Sequence, residues 1–157
     1  MEKMRIILPN KIEKELYSAV RDAKNNEIGG ILMGEYIAGG DYRIIDFTIQ
    51  ASKGTVAAFI RLVAEMINPL RNFFIKTNFN YKKYNYLGEW HSHPNFSLQP
   101  SNTDMESMWE IVEDSSTNAT FAVLLILRAN PNNDQLDGCA TIFLPEHNKI
   151  QVELIRE

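Results

Sequence analysis

Apolar side chains recur along this chain in two rhythms. Between Lys11 and Ala23, the residues Ile12, Leu16, Ala19, Val20 and Ala23 fall on a 3.6-residue period, which predicts a helix with one buried face. Lys24-Asn25-Asn26 closes it. From Gly54 to Phe79 a second stripe runs through Phe59, Leu62, Val63, Met66, Ile67, Leu70 and Phe74, and Pro69 is expected to kink or split it. A third helix is expected from Ser101 or Thr103 to about Asp114. The other rhythm belongs to strands. Met4 to Leu8, Glu27 to Ile37, Tyr42 to Ile49, Tyr84 to His93 and Ala119 to Leu127 are apolar-rich runs set off by turn-forming residues. Ala38-Gly39-Gly40-Asp41 reads as a hairpin turn. Asp137 to Leu144 and Ile150 to Ile155 read as a terminal hairpin about Pro145 to Asn148. Ala119 to Leu127 is apolar but for Thr120, which places it inside a sheet covered on both faces. Helices and strands therefore mix in a single α/β (α+β) domain over residues 1–157.

Composition narrows the function classes. A chain of 157 residues with 45% apolar and 23% charged side chains can bury a core without disulfides. Sixteen basic against twenty acidic residues give −4, without the basic stripe of a nucleic-acid binder. The single cysteine, Cys139, excludes an internal disulfide and reads as a small buried side chain. The N-terminus lacks the apolar stretch of a signal peptide, and no run reaches the roughly 20 apolar residues of a membrane span, so a cytoplasmic protein is expected.

The chemistry concentrates in Gly88-Glu-Trp-His91-Ser-His93-Pro94 and Ser101-Asn-Thr-Asp104. Two residues apart on a strand, His91 and His93 project from the same face. The loop from Pro94 to Pro100 can fold back and bring Asp104 to them. Two imidazoles and a carboxylate are a zinc set that leaves a fourth position for water, the mark of a catalytic rather than a structural site. Zinc lowers the pKa of a coordinated water toward about 7, and a carboxylate outside the ligand set must then carry the proton. Glu27 and Glu89 are the candidates. Glu89 shares the ligand face and suits a supporting or substrate-contact role better than proton transfer. Ser101-x-x-Asp104 has the form of a capping box, but Thr103-x-x-Glu106 offers a fuller one, which would release Ser101 and Asp104 for function. Gly29, Gly30 and Gly34 in one strand imply close backbone approach, to a neighbour or to a substrate. His147 reads as a surface residue in a turn and Lys82-Lys83 as a solvated pair. The aromatic cluster of Phe73, Phe74, Phe79, Tyr81, Tyr84 and Tyr86 reads mainly as core with a partly exposed face.

Glu27 before Gly-Gly-Ile-Leu-Met-Gly, His91-Ser-His93-Pro94, six residues, then Ser101-x-x-Asp104 resembles the JAMM metalloproteases, also called JAB1/MPN/Mov34 or MPN+ domains. The resemblance spans nearly the whole chain. It implies a curved mixed β-sheet flanked by helices, similar to cytidine deaminases. It implies Zn2+ held by His91, His93 and Asp104, with Glu27 as general base and acid and Ser101 as oxyanion donor. The implied reaction is cleavage after the C-terminal glycine of a ubiquitin-like or conjugated protein, whose tail binds extended past a wall including Phe96 and Leu98. The Gly-Glu-Trp-His-Ser-His-Pro form resembles standalone bacterial members, among them deconjugating proteases of type II CBASS anti-phage operons, where a nucleotidyltransferase is the conjugated protein. A sulfur-carrier processing peptidase, a non-catalytic binding module and a small-molecule zinc hydrolase stay open.

Overall fold

A computed structural model describes residues 3–51, 67–95, 97–117 and 119–157. In chain order these form β1 (Arg5–Leu8), α1 (Asn10–Ala23), β2 (Ile28–Tyr36), β3 (Asp41–Phe47), β4 (Gln50–Ala51), α2 (Ile67–Lys76), β5 (Tyr84–Ser92), α3 (Asn102–Glu113), β6 (Ala122–Ala129), β7 (Leu136–Leu144) and β8 (Asn148–Arg156). The part of the second expected helix before Ile67 lies outside the described residues. Pro69 is the third residue of α2, and the kink or split expected there involves residues outside the described ones.

The strands hydrogen-bond in the order β3-β1-β8-β7-β6-β5-β2-β4, and β3 pairs with β2 as well. β3 thus joins both ends of the ladder, parallel to β1 and antiparallel to β2, and the mixed sheet curls until it closes on itself. β6 lies inside the sheet, parallel to β5 and antiparallel to β7, as its apolar run requires. One face wraps α1: Ile12, Leu16 and Val20 pack with Leu32, Trp90, Val123, Leu125 and Leu127. On the other face α3 lays Met108 and Val112 over Leu124, Ile126 and Phe143, and α2 sets Phe73 against Ile31 and Met33.

Two glycines make the β2–β5 region possible. A Cβ on Gly30 would lie 1.8 Å from the Thr48 carbonyl oxygen. Gly88 has φ +153°, and a Cβ there would lie 2.0 Å from the Val123 oxygen. Close approach to neighbouring backbone, rather than to a substrate, therefore accounts for Gly30. Opposite β2 the register shifts: Leu32 faces Gly88 and Met33 faces Tyr86, so Leu87 is an extra, bulged residue. The bulge sets Tyr84 and Tyr86 on the same face as Glu89 and His91.

Candidate metal centre

β5 delivers the two imidazoles. Flanked by β2 and β6, it is held from both sides, and His91 stands opposite Gly29 in β2 and Ile126 in β6. His93 follows the last strand residue, and its amide is tied to the Leu127 carbonyl at 2.9 Å. His93 Nδ1 lies 2.6 Å from the Ser97 carbonyl oxygen, an acceptor, so this nitrogen carries the proton and Nε2 is left with its lone pair. Backbone support of this kind fixes the tautomer and ring plane of a metal-binding histidine.

Asp104 completes the group from α3. The Nε2 atoms of His91 and His93 are 2.9 Å apart. Asp104 Oδ2 stands 3.4 Å from the first and 3.6 Å from the second. A tetrahedral ion with bonds of about 2.0–2.1 Å has ligand-to-ligand edges of about 3.3 Å. The three distances are close to those edges, and two imidazole nitrogens and a carboxylate oxygen turned toward one point could serve as the donor set of a cation. His93 and Asp104 are buried, and the His91 side chain is 12% exposed. These residues could hold a metal ion. Burial pushes the Asp104 carboxyl up, but hydrogen bonding with His91 and His93, the charge of His91 and the Ser101 amide together hold it well below the usual carboxylate range. Burial pulls the His93 imidazole down, and the Asp104 and Ser97 oxygens outweigh this and raise it.

The helix start differs from the expectation. α3 begins one residue after Ser101, and Ser101 and Asp104 form the capping box themselves. Ser101 Oγ accepts from the Asp104 amide at 3.1 Å, and Asp104 Oδ2 accepts from the Ser101 amide at 2.9 Å. Thr103 and Glu106 lie inside the helix. Capping and a place in the His91–His93–Asp104 cluster are not alternatives here. The oxygen that caps the helix also faces both imidazoles, so the cap aims the ligand.

Glu27 immediately precedes β2. Continuing the antiparallel register from Gly29 opposite His91 puts Glu27 opposite His93, on the imidazole face. Its charge is among the influences that raise His93. A residue that sequence reasoning missed holds this approach. Ser92, between the two histidines, points to the opposite face and is 1% exposed. Its Oγ accepts from the Ile28 amide at 3.1 Å, next to Glu27. A polar side chain alternating with ligands in a buried strand was the available signal.

Glu89 is 1% exposed on the ligand face. Tyr86 donates to its Oε1 across a long 3.5 Å, and Oε2 has no hydrogen-bond partner. Burial pushes this carboxyl up to about 8, against the pull of the Tyr86 hydroxyl. Leu98 is partly buried and packs against the α3 cluster, and Phe96 lies outside the described residues. Cys139 is buried, and burial raises its thiol. His147 is exposed, stacked on Trp109 and bonded to Glu113. No helix among the described residues is long and apolar enough to cross a membrane.

Residues 9–137 match the family model described as prokaryotic homologs of the JAB domain. A CD-NTase/cGAS isopeptidase of Enterobacter hormaechei subsp. hoffmannii is 30% identical over 129 residues, covering 80% of this chain and 68% of that protein. The solution structure of a protein from Desulfitobacterium hafniense superposes with a TM-score of 0.65 at 20% identity, covering 97% of this chain and 92% of the other. A second, from Salinibacter ruber, gives 0.52 at 15%, covering 96% and 90%. At these identities the two structures speak for the fold, a mixed sheet with flanking helices.

Proposed function

The chain belongs to the family of prokaryotic homologs of the JAB domain, and from that premise we propose that residues 1–157 act as one zinc-dependent isopeptidase domain in the cytoplasm. Its substrate is a protein joined through a C-terminal glycine by a ubiquitin-like conjugation system, with the extended tail leading to the metal centre. The name of the Enterobacter relative supports a nucleotidyltransferase of the CD-NTase class as the conjugated protein, and hence a setting in anti-phage defence. The observation that carries the reading is the triangle of His91, His93 and Asp104 with edges of 2.9, 3.4 and 3.6 Å, on the face where strand register sets Glu27.

Bound there, a zinc ion would supply Lewis acidity, polarising a carbonyl and making hydroxide available near neutral pH. The remaining work falls to the chain. Glu27 takes a proton from the attacking water and returns it to the leaving lysine amine, so that water adds across the amide and the products are a carboxylate and an amine. Ser101 uses its oxygen as an acceptor for the Asp104 amide, and its hydroxyl hydrogen serves the oxyanion.

The test is metal analysis combined with cleavage of an isopeptide-linked conjugate. The parent should cleave, lose activity to chelator and regain it with zinc. Glu27→Gln should keep its zinc and lose about 10²–10⁴-fold in kcat. A zinc-loaded Glu27→Gln protein that cleaves at the parental rate sinks the assignment. Cleavage of a linear Gly-Gly fusion with no action on the isopeptide would replace it with the sulfur-carrier peptidase.

A further inference from the structure

The stretch 67–88 carries Arg71, Lys76, Lys82 and Lys83 and no acidic residue, although the chain as a whole is −4; the rest holds twelve basic against twenty acidic side chains, a balance of −8. All four cations are exposed. Ile67, Ile75, Phe79 and Tyr81 lie among them, each more than half exposed. Phe79 is held outward by a positive φ of 56° that follows another, 55° at Asn78. Phe74 and Phe79 flank Tyr81, with ring centroids 4.9 and 6.3 Å away. Tyr81, Lys82 and Lys83 border a cavity of about 1040 Å³ whose wall includes Leu70, Phe74 and Tyr36.

We propose that this surface, α2 and the turn after it, docks an acidic protein segment bearing aromatic or leucine side chains, and that the segment belongs to the substrate. Identifying the partner as the substrate rests on the isopeptidase reading; its acidity does not. Exposed apolar groups interspersed with cations along one stretch of chain complement apolar anchors flanked by carboxylates. Lys83 already spends part of its charge on Glu35, 3.6 Å away. That leaves a small cationic field, weak for a phosphate backbone, where affinity grows with each neutralised charge. Distance supports a substrate role. α2 packs at the Tyr84 end of β5, on the face that carries His91. Seven strand residues at about 3.3 Å each separate the two, about 23 Å. Tyr86 and Glu89 bury the strand face between them, so a folded body seated at α2 could extend a tail of about that many residues over the surface to the metal centre.

The experiment is fluorescence anisotropy with the full zinc-loaded chain and four probes: a labelled peptide alternating Glu with Phe and Leu, its Lys-for-Glu counterpart, a single-stranded RNA of equal length, and anionic phosphatidylglycerol vesicles. The acidic peptide should bind best, and binding should weaken with salt. Lys76→Glu/Lys82→Glu and, separately, Phe79→Ser should each weaken it about tenfold. On a conjugate, the same variants should raise KM and leave kcat unchanged. Equal binding of both peptides, tighter binding of RNA or vesicles, or variants without effect on the acidic peptide would overturn the proposal. Peptide binding that persists in a protein unable to cleave any conjugate would overturn the isopeptidase reading and leave the docking surface standing.

Discussion

Replacing Ser92 by alanine isolates the contact that ties the strand carrying His91 to the approach of Glu27. In the native protein Ser92 Oγ sits 3.1 Å from the Ile28 amide, and both residues are buried. Removing the oxygen leaves that N–H without a partner where water does not reach it. The cost of an unsatisfied buried donor is about 1–3 kcal/mol. Relief can come only by shifting the start of β2, and Glu27 moves with it. A displacement of about 1 Å at a catalytic group can cost on the order of 10²-fold in rate. Ser92→Ala should therefore lose about 1–3 kcal/mol in urea unfolding. Its kcat should fall by one to two orders of magnitude, while zinc content stays at the parental level. Ser92→Thr keeps the acceptor and should recover most of the rate, even if its extra methyl costs some stability in the packed face around Trp90 and Leu127. The reasoning is refuted if Ser92→Ala keeps parental kcat, or if lost activity tracks lost zinc, since the side chain would then serve the ligands and not Glu27.

Two further outcomes test the packing and electrostatics of the same strands. Burial raises Glu89 from 4.5 to about 8, so the folded apoprotein holds a proton that the unfolded chain releases. Stability should fall as pH rises from about 4.5 to 8, by up to roughly 1.4 kcal/mol per unit from this group. Glu89→Gln should flatten that slope in urea unfolding of the apoprotein, and parallel pH profiles for the two would show that Glu89 ionises normally. Gly30→Ala puts a methyl 1.8 Å from the Thr48 oxygen, where backbone must move to make room. It should cost at least about 1–3 kcal/mol, and a calorimetric Tm equal to the parent's would contradict the fit.

Spacing along the chain was enough to single out His91, His93 and Asp104, which the structure brings together and which could hold a metal ion, and to outline most of the elements. His91 and His93 share a strand face because strand geometry alternates with a period of two, a property of local backbone. The uninterrupted apolar run of β6 likewise fixed its interior place, since only a strand covered on both faces tolerates it. The cap at Ser101 is not legible from local sequence, because two boxes overlap within six residues and local propensity alone does not rank them. Other features came from pairing between distant segments. β3 closes the sheet by bonding to both β1 and β2. The bulge at Leu87 turns Tyr84 and Tyr86 to the metal face. Ser92 reaches an amide sixty-four positions away. Lys82 and Lys83, ordinary as a solvated pair, acquire meaning beside exposed rings that α2 and its turn assemble. Register and closure are set by contacts whose energy depends on where the chain returns, so only the tertiary structure could decide them.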